Sequence, residues 1–228
     1  MNAKELSTSY DISTLGLVLV ALGVGLSIKS NLGIAPPSCP PAILNLRWTA
    51  MSVGTFTWMM HLFFILLQFL LLRGRFRLRF LMQIPAAFVF GYLCDAAIAL
   101  FNAIDAPATQ YGMQILLSLA AVFVTAVGIK IEVTGGAWML AGDQTVAILA
   151  EESRRPFGTV KVIFDVSLVA FTALAAWLFF HRLTGNGSTV IIREGTLLLA
   201  VLTGLCMRLT DPLLDKLFLA SGFTNKHA

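Results

Sequence analysis

Charge is what this chain has least of. Only 12% of its 228 residues are Asp, Glu, Lys or Arg, roughly half the share found in soluble domains. With 57% hydrophobic residues and a mean hydropathy of +0.84, it has too little polar surface to face water, and lipid is its expected solvent. Cysteine is scarce as well: three residues are too few for a disulfide framework. Cys94 and Cys206 sit in apolar runs and Cys39 in a proline cluster, where they read as small packing residues. His61, His181 and His227 lie far apart with no HxxxH or CxxC partner, so no metal site is expected. An activated nucleophile and a phosphate loop are both missing, which predicts neither enzymatic activity nor a cofactor. Basic residues are not interleaved with aromatics, which argues against nucleic acid as a partner. The first apolar run, near Gly25, is not followed by a small-residue cleavage site, and it reads as a retained span.

What the chain has instead is long apolar segments. Six of them, at about 12–29, 52–72, 80–102, 112–130, 157–180 and 194–217, suffice or nearly suffice for about 30 Å of hydrocarbon. With six spans both termini share a side. Ten Lys and Arg residues fall there, Arg73, Arg75, Arg77 and Arg79 among them, against four opposite. The positive-inside rule then puts both termini in the cytoplasm.

The second half repeats the first. Gly54-Thr55 aligns with Gly158-Thr159 and Ala42-Ile43-Leu44 with Ala147-Ile148-Leu149, at offsets of 104 and 105 residues. Three spans per copy force the second copy into the bilayer upside down, a recurrent plan of transporters. The expected fold is an all-α polytopic membrane protein: residues 1–228 form one membrane domain of two inverted three-helix repeats, about 12–103 and 112–218.

Each copy is interrupted after its first span. SNLGIAPPSCPPAILNLRW carries Pro36, Pro37, Pro40 and Pro41, which exclude a continuous helix. Its remaining residues are too apolar for a solvated loop, so a re-entrant segment is expected, a backbone tolerated only beside protein or a wet cavity. The second copy breaks at Gly135, Gly136 and Gly142. Asp143 is expected to cap a short helix there, with Ser38 as its counterpart. Helix N-termini stabilise anions, so both residues are expected to frame a substrate.

Five ionisable residues lie within apolar runs: His61, Asp95, Lys161, Asp165 and Arg208. Buried charges are costly and usually face a cavity or a partner. His61 and Asp165 differ by 104 and are equivalent in the two copies. They read either as a proton-sensitive pair across the pseudo-twofold axis or as a neutral packed histidine beside an Asp165–Lys161 salt bridge one turn long. Asp95 and Arg208 read either as a mutual charge pair or, for Arg208, as a substrate clamp.

Taken together, SNLGIAPPSCPP, SVGTFTWMMHLFFILLQFLLL, QIPAAFVFGYLCD and FGTVKVIFDVSLV resemble the bacterial integral membrane proteins of the YczE/YyaS/YitT-like family, over about residues 15–218. The resemblance implies a multi-span inner-membrane protein and supplies no catalytic residues. The function expected is secondary transport of a small anionic or zwitterionic solute by alternating access. Ser38, Asp143 and Arg208 would bind substrate, and His61, Asp95, Lys161 and Asp165 would supply the intramembrane charge. A channel and a non-transport assembly or regulatory protein are the alternatives. The expected partners are the solute and the bilayer, with a homo-oligomer left open.

Overall fold

The structure, a computed structural model, describes residues 3–76, 78–104, 110–137, 139–187 and 189–220; side chains 3–7, 78–79 and 208–220 are outside this description. Eight α-helices carry the described chain: α1 (Ala3–Ser30), α2 (Cys39–Arg47), α3 (Val53–Leu72), α4 (Gln83–Ala103), α5 (Tyr111–Gly135), α6 (Ala141–Ser153), α7 (Phe157–Phe180) and α8 (Glu194–Ala220). Five apolar stretches, Thr8–Ser30, Val53–Arg75, Phe80–Ala103, Tyr111–Gly135 and Phe157–Phe180, are long enough to cross a bilayer. Where six spans are expected, the sixth coincides with α8, whose apolar part among the described side chains is the shorter Glu194–Met207.

Local chemistry sets the helix ends. The Ser52 hydroxyl caps α3 by accepting the Thr55 N–H at 3.0 Å. At the end of α5, Gly136 turns into the left-handed region at φ 64°, and Asn31 does the same after α1 at φ 53°. Glycine and asparagine are the residues that tolerate this conformation.

At the centre α1 and α5 pack along their lengths in antiparallel fashion. A Cβ on Gly16 would lie 2.7 Å from Glu132 Cα, one on Gly128 2.8 Å from Val20 N, and one on Gly135 2.7 Å from Ser13 N. The backbones therefore approach closely through small residues, the usual device where lipid supplies no hydrophobic drive between helices. The α4 helix lies against α1 and α3, and α8 against α5 and α7; both short helices, α2 and α6, wedge between α3 and α7.

The distribution of polarity is that of a membrane protein. Phe63, Leu66 and Leu70 on α3, Leu116 and Phe123 on α5, and Phe171, Leu174 and Leu178 on α7 are each more than half exposed. Polar side chains fill the interior instead, among them Gln68, Glu132, Thr145, Lys161, Asp165 and Thr172. In hydrocarbon such groups must find partners within the protein. Gln68 and Gln83 do so reciprocally, at 3.1 and 3.0 Å, and Gln68 Nε2 also donates to the Ala141 carbonyl at 2.9 Å. This contact fastens α3 and α4 to the start of α6.

Candidate functional site

The buried charges converge where the two broken segments meet. Lys161, on α7, donates from Nζ to Asp165 Oδ1 at 3.0 Å, one turn further along the same helix. The same ammonium lies 3.2 Å from Asp143 Oδ1 on α6, an ion pair outside hydrogen-bond geometry. Lys161, Asp143 and Asp165 are 3%, 6% and 2% exposed, so each charge depends on the others in place of water.

Behind them, Glu132 on α5 is fully buried and its Oε1 accepts the Leu140 N–H. That bond satisfies a buried donor at the end of the second break, while Glu132 Oε2 has no partner. The first break is closed in the same way, the Ala35 N–H donating to Ser27 Oγ at 3.4 Å.

Lys161, Asp143 and Asp165 face a cavity of ≈ 60 Å³, room for a few water molecules. Both breaks contribute to its wall, Ala35 to Ser38 from the first and Leu140, Gly142 and Asp143 from the second. Thr57, His61, Lys161 and Asp165 supply most of its remaining polar lining, and Phe64, Phe90 and Phe164 are its aromatic face. His61 is buried, packs edge-on against Phe90 at a centroid distance of 5.6 Å, and leaves Nδ1 without a partner.

The structure thus gathers Ser38, Asp143, His61, Lys161 and Asp165, and alters several details expected of them. The proton-sensitive His61–Asp165 pair is not formed: Asp165 is committed to Lys161 and His61 Nδ1 is free. Asp143 is not an N-cap. The α6 helix begins at Ala141 behind Leu140, so Asp143 lies in the first turn and its carboxylate turns to Lys161. Ser38 does occupy the cap position of α2 but makes no side-chain cap bond. The cause is local: Pro40 and Pro41 follow it, and proline has no N–H for a hydroxyl to accept.

Asp95 stands apart from the cavity. Its Oδ2 accepts the Ser52 hydroxyl at 2.6 Å and its Oδ1 the Gly54 N–H at 2.8 Å, so it holds the N-terminus of α3 from α4. The side chain of Arg208, its expected partner, lies outside the described residues. One turn before it, Gly204 faces the Gly158 carbonyl at the start of α7.

Glu132 and Thr57 are the site residues that the sequence reading passes over. An apolar segment ended at residue 130 leaves Glu132 outside the membrane, whereas α5 runs on to Gly135. The repeat carries a signal for both: Glu132 is 105 residues beyond Ser27, and Thr57 is 104 before Lys161.

Helices apolar on the outside and charged within mark an α-helical, membrane-embedded protein. The chain matches the family model DUF6198, a family of unknown function, over residues 8–212, and it belongs to that family. No curated protein and no solved structure matches it.

Proposed function

We propose that the protein is a secondary transporter that carries a small solute by alternating access, with the solute seated in the cavity between the two breaks. One observation carries the proposal: the cavity wall is built from equivalent residues of the two halves. Val20 and Thr125, Val24 and Ile129, Ala35 and Leu140, Ser38 and Asp143, Thr57 and Lys161, Met60 and Phe164, and His61 and Asp165 all line it. Every one of these pairs is separated by 104 or 105 residues.

Helix packing supports the same exchange of halves. Replacing α1 to α4 by α5 to α8 turns the α1–α4 contact into α5–α8, α3–α4 into α7–α8, α2–α3 into α6–α7 and α2–α7 into α6–α3, all of which occur. The equivalent helices α1 and α5 are antiparallel. Two inverted halves with α8 as a sixth span account for this, and a chamber on the pseudo-twofold axis can be opened to either face by equal and opposite rocking. The count of basic residues supports cytoplasmic termini, and the resemblance supports an inner membrane. Kinship with YczE/YyaS/YitT-like proteins is part of the same proposal, on the strength of the four shared segments.

Proteoliposomes under an imposed pH gradient test the transport reading. Solute uptake should follow the gradient, show counterflow and fail in His61→Ala and Asp165→Asn. Flux that saturates weakly without counterflow identifies a channel, and uptake unchanged in both variants removes these residues from coupling. Accessibility labelling should reach residues 30–50 and 139–156 from opposite faces of the membrane; labelling from one face rejects the inverted arrangement.

A further inference from the structure

The charges around the cavity do not balance. Among the described side chains lining it, two carboxylates, Asp143 and Asp165, face one ammonium, that of Lys161. Glu132 stands behind them with an unpartnered Oε2. A buried charge without a counter-charge costs several kcal/mol, so the site is completed either by a proton or by one further positive charge, and the chamber is where a cation can reside.

An anion has little to bind. In the first break Pro36, Pro37, Pro40 and Pro41 have no N–H, Ser38 N–H donates to the Ala35 carbonyl at 2.8 Å, and Cys39 N–H donates to that of Pro36. The second break carries its own carboxylate, Asp143, in the first turn of α6. The anionic solute expected from two exposed helix N-termini therefore loses its donors in the first break and meets a fixed carboxylate in the second.

A cation finds a prepared seat. The Lys161 ammonium shows that these two carboxylates accept a primary ammonium, which lies 3.2 Å from Asp143 Oδ1 and 3.0 Å from Asp165 Oδ1. Aromatic rings, which favour cations, and aliphatic walls suit a short alkyl chain behind it. His61 adds a second way to supply the charge. It is 5% exposed, lines the cavity and has Nδ1 without a partner, and a ring nitrogen left without a partner is a place where a proton can be held. The ionisable groups around it are Glu132 from α5, Asp143 from α6, and Lys161 and Asp165 from α7; α1 and α4 present Val20, Val24 and Phe90.

We propose that the chamber binds a small primary-ammonium solute between Asp143 and Asp165 beside Lys161, and that this cation and a proton on His61 displace one another, making the cycle a cation–proton exchange. The exchange rests on the transport reading; the binding site does not. When the solute binds, the His61 proton leaves to water on the side to which the chamber is open. No covalent bond to the solute forms or breaks.

The test uses the full chain in detergent micelles with methylammonium chloride as the probe. Methylammonium should raise the melting temperature, where sodium chloride and tetramethylammonium chloride at equal concentration should not. Its apparent affinity should tighten with pH by up to about tenfold per unit, as for competition with one proton, and binding should release protons to a pH indicator. His61→Gln should keep the binding and lose both the pH dependence and the proton release. Asp165→Asn should lose the binding. Gly142→Val is the companion variant where Asp165→Asn does not fold, because a Cβ there meets nothing closer than Phe64 at 3.7 Å; it should fold, fill the chamber and exclude the probe. A wild-type shift that is absent, that sodium matches, or that survives Asp165→Asn and Gly142→Val overturns the site, and pH-independent binding overturns the exchange with His61. Proteoliposome results separate the two ideas: coupled uptake of another solute without methylammonium binding leaves the transport reading standing and sinks the cation site, while binding without flux does the reverse.

Discussion

Lys161 holds carboxylates from two helices, and its removal would leave both buried without a counter-charge. Breaking a buried ion pair on one side costs about 3–5 kcal/mol. Lys161→Met should therefore lower the melting temperature sharply, and adding Asp143→Asn and Asp165→Asn to it should recover much of the loss. If the single variant melts like the wild type, Lys161 is not holding the cluster together. Glu132 makes a different kind of bond, to a backbone donor. Glu132→Gln keeps an oxygen for the Leu140 N–H and should change stability little, whereas Glu132→Leu leaves that N–H buried and unpaired, at about 1–3 kcal/mol. Equal melting temperatures for the two variants would contradict this role.

At the scale of elements, two contacts decide whether the helices can come together. The α1–α5 interface depends on the absence of side chains: a Cβ on Gly16 would fall within 2.7 Å of Glu132 Cα, and one on Gly23 within 3.2 Å of Thr125 N. Backbone atoms cannot yield as a flexible side chain can, so Gly16→Ala should destabilise by about 1–3 kcal/mol through overpacking. Gly74 and Gly112, beside which a Cβ meets nothing, serve as controls and should tolerate alanine; the same loss at all three sites would deny close approach as the cause. The second contact is Asp95 at the head of α3. Asp95→Ala removes an acceptor shared by Ser52 and Gly54, and thermal unfolding should register about 0.5–2 kcal/mol, the usual worth of an N-terminal cap.

For the whole molecule, the inverted-repeat reading gives the two halves one architecture but not one chemistry. Ser27, Ser38, Thr57 and His61 in the first correspond to Glu132, Asp143, Lys161 and Asp165 in the second. Under the transport reading, equivalent backbone positions give the chamber equivalent access from the two faces, while the difference in residue type gives the second half the permanent charges and the first the unpartnered imidazole. Two halves with the same charged residues would double the unbalanced charge at the centre of the bundle, in the medium where it is most costly.

Much of this was readable in the order of residues. Lipid as solvent follows from composition, because too few polar groups exist to cover a soluble core. The apolar runs and the proline break at 36–41 predict the helices and the first interruption, since proline forbids a continuous span whatever surrounds it. The offset of 104 to 105 residues marks His61, Asp165 and their neighbours as equivalent positions before any contact is known. Three things were decided only in three dimensions. The length of α5, and with it Glu132, depends on packing against α1, which carries a polar residue into the interior where hydropathy alone would end the segment. The partner of Asp143 is Lys161 rather than its own helix terminus, because the choice between a cap and a salt bridge turns on which group lies within about 3 Å after folding. The sign of the chamber likewise emerges only when residues more than a hundred positions apart share one wall, for a sequence gives the number of charges but not which of them must neutralise one another.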